Sequence, residues 1–317
     1  MDNLITNKGA SCAPGISRVL SLCLCLLFLC AFAGQTAKAQ TFSGGTGTSG
    51  DPYKIASEAD LKLIAGAAFA GTYFKLMDDI TLISPWTTPI GSSTTAFAGI
   101  FDGNKKIVKG LSITGSTQYR GLFGNIAAAG KITDLGVEGS VSGGSFTGGL
   151  AGKNAGTIEK CHFTGTVTGI GESLGGLIGV NLGSVSECYA NAGVTSTSQY
   201  VGGLVGSLMG NSKLENCYAT GAVEGTNAVG GIAGYDANGS TIENCVALNP
   251  SVKGRNSGRI LGLPNATAFE GINKAWEEMV IFSVPAEQNF FAAASQRPLT
   301  IYTSATDFTP SITSQTP

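Results

Sequence analysis

One short stretch recurs through the chain at near-constant spacing. It reads Arg120-Gly-Leu-Phe-Gly124, Gly148-Gly-Leu-Ala-Gly152, Gly175-Gly-Leu-Ile-Gly179, Gly202-Gly-Leu-Val-Gly206, Gly230-Gly-Ile-Ala-Gly234 and Gly258-Arg-Ile-Leu-Gly262. The closing glycines step by 28, 27, 27, 28 and 28 residues. A period that regular marks a solenoid, in which each unit buries its apolar face only against its neighbours.

Two further markers keep the same period. Ile132-x-x-Leu135, Ile158-x-x-Cys161, Val185-x-x-Cys188, Leu214-x-x-Cys217 and Ile242-x-x-Cys245 follow the glycine clusters, and a valine comes next at 141, 167, 194, 223 and 252. Each unit thus offers about three short apolar strands separated by Gly, Asn, Ser and Thr, too β-branched and glycine-rich for a helical repeat. At about 3.3 Å per residue, one unit traces one turn of a parallel β-helix, with like positions about 4.8 Å apart on successive turns. The expected fold is all-β: a solenoid of about six regular coils. The spacing from glycine to the next Ile or Leu varies, which places a turn that tolerates insertion there; Asn238-Gly239 suits such a turn.

The rest of the chain starts, fills or ends this stack. Residues 1–39 read as an export signal: Lys8 and Arg18 precede an apolar run from Val19 to Ala33, then Ala37-Lys38-Ala39 predicts cleavage before Gln40. The run is about 15 residues, short of the roughly 20 that span a bilayer, and leucines precede Cys23, Cys25 and Cys30 where lipid attachment favours small residues. No membrane span is expected in the mature chain. Residues 40–113 are expected to form an N-terminal cap with the first strands. Ser57-Glu-Ala-Asp60 looks like a capping box, followed by apolar positions Leu61, Ile64, Ala65, Ala68 and Phe69 at helical spacing until Gly71. This is expected to be the capping helix. Residues 114–282 carry the repeats, and 283–317 a C-terminal cap and loose tail. Lys274-Ala-Trp-Glu-Glu-Met279 suits either a helix or a closing strand.

Charge excludes some partners. The chain has 19 basic and 21 acidic residues, scattered without a basic patch, so nucleic acid is not an expected partner. The four cysteines of the repeat, Cys161, Cys188, Cys217 and Cys245, are read as a structural ladder of buried thiols. A disulfide framework is the alternative in an oxidising compartment.

Several residue patterns together resemble those of secreted bacterial proteins with GLUG repeats, known from gut Bacteroidetes. They are Gly44-Gly-x-Gly-Thr48-x-x-Asp-Pro-Tyr53, Pro89-Ile-Gly91, Phe97-x-Gly-x-Phe-Asp-Gly-Asn104 and the recurring Gly-Gly-Leu-x-Gly. The resemblance covers residues 43 to 282. It implies a right-handed parallel β-helix at the cell surface or outside it, and little about activity. Related repeats lie beside the catalytic domain of immunoglobulin A-cleaving metallopeptidases. This chain has no His-Glu-x-x-His and a single histidine, His162, so that activity does not carry over, and no metal site or cofactor is expected.

Other motifs are explained by structure. Gly45-x-Gly47-x-x-Gly50 matches a dinucleotide fingerprint but follows no strand. Gly171-Glu-Ser-Leu-Gly175 matches a nucleophile elbow but lies within a repeat turn. Glu159, Glu215 and Glu243 share one repeat position, with Ser186 in the intervening unit and Glu187 one residue on. They read as a solvated ladder, because a catalytic constellation is usually unique within a stack. Asp78-Asp79 is unique and reads as a turn. No catalytic residue is assigned.

The position after the cysteine carries His162, Tyr189, Tyr218 and Val246. With cysteine inward, these face outward, and His162, Tyr189 and Tyr218 form a candidate aromatic stripe for sugar rings; a stabilising cross-strand stack is the structural alternative. The expected role is a non-enzymatic extracellular or cell-surface adhesion scaffold, with a glycan or a host or surface protein as partner. A β-helix polysaccharide lyase or glycoside hydrolase and a structural spacer are the alternatives.

Overall fold

The computed structural model describes residues 41–282 apart from 238 and 266. The leader expected at 1–39 and the tail at 283–317 lie outside the described residues. The chain winds into a β-solenoid of about seven turns, one more than the repeat count suggests. Its strands form one large sheet and a second, six-stranded sheet, and every strand pair is parallel. The six-stranded sheet stacks Phe123–Ile126, Ala151–Asn154, Ile178–Asn181, Val205–Leu208, Ala233–Asp236 and Leu261–Leu263. The repeated Ile/Leu, Cys and Val positions all point inward: Ile158, Val185, Leu214 and Ile242 are fully buried, as are Val167, Val194 and Val252.

Corners explain the polar residues of the repeat. The residue before each cysteine ladder position is left-handed: Asp134, Lys160, Glu187, Asn216 and Asn244 have φ of 51–54°. Asn and Asp tolerate that conformation best, which accounts for three of the five. A second left-handed corner runs through Tyr119, Phe146, Ser173, Tyr200, Ala228 and Asn256.

The double glycine has a steric cause. A side chain at Gly176, Gly203 or Gly231 would collide with the carbonyl oxygen of Gly203, Gly231 or Arg259 on the following turn. The closest stacking therefore excludes even a methyl group. In the last of the six repeats the same position holds Arg259, which is partly exposed.

The first repeat departs from the alignment read off its glycines. Arg120 bridges Thr147 rather than Gly148, while Phe123 pairs with Ala151. The first turn is one residue shorter between the corner at Tyr119 and Gly124. Arg120 therefore falls into the row of Thr147, Leu174, Val201 and Val229.

At the N-terminal end, helix α1 spans Glu58–Ile64. Ser57 is its N-cap, accepting from Asp60 N–H, while Asp60 accepts from Ser57 Oγ and from the N–H of Ala56, one residue before the cap, a variant of the expected capping box. Asp60 also accepts from Ser43 N–H and Oγ, tying down the glycine-rich lead. The helix is shorter than its apolar spacing suggests. Ala65 is extended, Gly66 has φ of 107° and Phe69 is left-handed, so Ala68 and Phe69 lie beyond its end. Phe69 instead joins an aromatic cluster, with its ring 5.2 Å from Phe74, and Phe74 in turn meets Phe42, Phe97 and Phe101. Trp86, between two prolines, folds into the core and donates Nε1–H to the Leu122 carbonyl. At the other end, Lys274–Ala275 and Val280–Phe282 are strands, which decides the closing segment against a helix.

Candidate functional site

The row after the cysteines is continuous. His162 pairs with Tyr189 and Tyr189 with Tyr218, the next partner being Val246. The rings stack with centroids 4.6 Å apart for His162–Tyr189 and 4.7 Å for Tyr189–Tyr218, at interplanar angles of 0° and 6°. That spacing is the inter-strand distance itself. The face of each ring is therefore turned to its neighbour, and the ends of the row are closed as well. The backbone of Gly136 lies under the His162 imidazole, where an added Cβ would come within 2.6 Å of Cε1 and Nε2, and Val246 is buried at the other end. Each ring remains partly exposed. Burial lowers the His162 pKa against the opposing pull of Glu138. It raises the Tyr189 phenol and pushes Tyr218 up to about 12, with the neighbouring Tyr189 adding to the shift.

Beside this row lies a second one of hydrogen-bonding groups. Thr164 is in register with Asn191, and Thr220 Oγ1 donates to Asn191 Oδ1 at 2.9 Å. Thr166, Thr168, Asn191 and Thr195 are exposed on the same sheet. Three turns thus present aromatic side chains along one line and hydroxyl and amide groups along the next.

The carboxylate row is compensated. Lys131 and Lys160 flank Glu159 at 3.2 and 3.1 Å, and Lys213 bridges Glu215 and Glu243 at 2.9 Å each. Hydrogen bonds from Lys160 and then Lys131 lower the Glu159 pKa, the opposite of what a general acid requires. Asp79 binds the Ile107 N–H and Lys109. Ser173, in the nucleophile-elbow match, is buried and hydrogen-bonded to Ser207 at 2.8 Å, a structural role. No group of His, Cys, Asp and Glu able to hold a metal occurs among the described residues.

The cysteines are buried and unbridged, and burial raises the Cys188 and Cys245 thiols well above their ordinary range. They are more than small apolar fillers. Each Sγ–H donates to a carbonyl two residues earlier, at 3.1–3.3 Å, and Cys188 Sγ accepts from the Cys161 N–H.

A cleft of about 220 Å³ beside the first turn escaped the sequence reading. It lies between the 87–93 loop and the corner at Tyr119 and Arg120. Its arginine was hidden by the apparent alignment with a glycine.

The GLUG motif model matches residues 143–168 and 197–224, each about one turn of the solenoid. Halomucin of Haloquadratum walsbyi is 36% identical over 140 residues, covering 39% of this chain and 2% of halomucin. A "Putative Gly-rich membrane protein" of Evansella cellulosilytica is 33% identical over 134 residues, covering 39% of this chain and 16% of that protein. The chain thus spans a small part of the curated relatives it matches. The crystal structure of a "putative immunoglobulin A1 protease" from Bacteroides ovatus superposes with a TM-score of 0.66 at 26% identity, over 76% of this chain and 80% of that one. No helix among the described residues is long and apolar enough to cross a membrane. With the Gly-Gly-Leu corners, the parallel stack and the matched turns in agreement, the chain is a β-solenoid that carries GLUG-motif repeats.

Proposed function

We propose that this chain is an exported, non-enzymatic scaffold of the cell exterior that contacts glycans. The carrying observation is the paired rows of one sheet: His162, Tyr189 and Tyr218 beside Thr164, Asn191 and Thr220. Their repeat along the axis is set by the strand spacing. Because the rings cover one another, sugars meet their edges and hydroxyls rather than a bare ring face. The threonine and asparagine row supplies the polar contacts. The names of the curated relatives, Halomucin and a "Putative Gly-rich membrane protein", are compatible with an exported protein, as are the leader-like residues 1–39.

A screen of the purified protein against plant and mucin polysaccharides, reading both retention and released oligosaccharides, tests this. Two double variants accompany it. Tyr189→Phe/Tyr218→Phe keeps the stack and removes the hydroxyls, whereas Tyr189→Ala/Tyr218→Ala removes both. Retention without product, weakened in the Phe pair and lost in the Ala pair, is the expected result. Released oligosaccharides point to a lyase or hydrolase instead. Absence of both retention and product leaves the spacer role.

A further inference from the structure

Arg120 occupies a position that the fold otherwise keeps apolar or small. In its row, Thr147, Leu174, Val201 and Val229 are all buried. Arg120 is only half-buried, and its stem lies over Gly143, where an added Cβ would meet Arg120 Cγ at 2.8 Å. Its charge is unmatched among the described residues. Nη1 donates to the Thr87 carbonyl at 3.2 Å, and the buried Nε has no hydrogen-bond partner. The nearby Lys62, by contrast, is paired with Glu58 at 2.6 Å.

Arg120 borders the 220 Å³ cleft, whose walls include Ser92, Ser93, Thr117, Gln118 and the half-buried Tyr119. A neighbouring cleft of about 320 Å³ shares Thr87 and Thr88 with it and runs toward Trp86 and α1. The groove at Arg120 is thus lined with hydroxyls and the Gln118 amide beside a guanidinium that has no ion-pair partner among the described residues, and the adjoining cleft adds Lys62, Ala65 and Trp86. A guanidinium presents donors in a planar fork that fits a carboxylate. Hydroxyl and amide walls suit a polyhydroxylated ring.

We propose that this groove binds a carboxylate-bearing sugar, with Arg120 holding the carboxylate and the Ser/Thr/Gln walls holding ring hydroxyls. The adjoining cleft, which shares Thr87 and Thr88, offers room for a neighbouring unit of an acidic polysaccharide. The site is separate from the tyrosine row and stands or falls independently of it.

The test is calorimetric titration of the full chain with trigalacturonate, with trigalactose as the neutral control and a glutamate tripeptide as the non-sugar carboxylate. Trigalacturonate is expected to bind, weakening as salt rises, while both controls bind at least tenfold more weakly. Arg120→Gln is expected to weaken trigalacturonate binding at least tenfold, and Arg120→Lys to recover only part of it. The Tyr189→Ala/Tyr218→Ala pair is expected to leave it unchanged. Thermal unfolding of each variant shows whether the chain is folded; should Arg120→Gln unfold, Arg120→Lys and Gln118→Ala carry the comparison. The proposal is overturned if trigalacturonate does not bind, if trigalactose or the peptide binds equally, or if the folded Arg120 variants bind like the parent.

Discussion

Asn273 Oδ1 accepts the N–H of Cys245 at 2.8 Å, doing for the last rung of the ladder what Cys188 Sγ does for the N–H of Cys161 at 3.3 Å. The corner before each cysteine turns an amide inward, and something on the next turn must accept it. A thiol does so within the stack, and an amide side chain does so where the row ends. Asn273 Nδ2 also donates to the carbonyls of Ile242 and Glu270. Asn273→Leu strands a buried N–H and two carbonyls, and is expected to cost about 1–3 kcal/mol in urea unfolding. Asn273→Asp should recover part of the loss.

The double glycine yields a sharp contrast. Gly203→Ala places a methyl group against the Gly231 carbonyl and is expected to destabilise by about 1–3 kcal/mol or more. Arg259→Ala, at the equivalent place in the last repeat, should change stability by no more than about 0.5 kcal/mol. Similar losses for both would mean that stacking does not set this position.

The aromatic row contributes to stability whatever it binds. Tyr189 has a stacked neighbour on each side, and a pair of this kind contributes about 0.5–1.5 kcal/mol. Tyr189→Ala is therefore expected to cost about 1–3 kcal/mol in thermal or urea unfolding, and Tyr189→Phe far less. Gly136→Ala should disturb the same row by displacing the imidazole.

Stability should fall on acidification in two windows. Glu58 is held down at about 2, first by the Ile83 N–H, then by Lys62 and Ser84. Burial opposes ionisation of Asp60, but bonds from Ser43, Ala56 and Ser57 outweigh it and keep its pKa below the usual range. Both carboxylates stabilise the fold above the ordinary carboxylate range, and this is lost as the pH falls through and below that range, for Glu58 down to about 2. His162, also lowered, favours the fold while neutral and loses that contribution as pH drops below about 6.5. His162→Phe should flatten unfolding free energy between pH 7 and 5, and Glu58→Gln the steeper fall below pH 4.5.

The thiols offer a direct check of burial. All four repeat cysteines are free and buried, so native protein should resist alkylation at them, whereas protein unfolded in urea without reductant should react at all four. Failure to react after unfolding would reveal disulfides.

The solenoid, its period and its inward rows were legible in the sequence because every turn meets the same surroundings. The same steric demand then selects Gly203 and Gly231, and the same burial selects Ile158 and Val185. The capping box was equally readable, since Ser57 and Asp60 act over one turn of chain. What repetition cannot convey, only the tertiary structure decided. The first turn is one residue short, so Arg120 leaves the glycine row and borders a cleft. Lys213 sits between Glu215 and Glu243 and pairs with both. Stacked at the strand spacing, the rings of His162, Tyr189 and Tyr218 hide their faces from solvent. Each of these depends on which turn lies above or below, a relation across some 27 residues that local spacing does not encode and that parallel hydrogen bonding fixes.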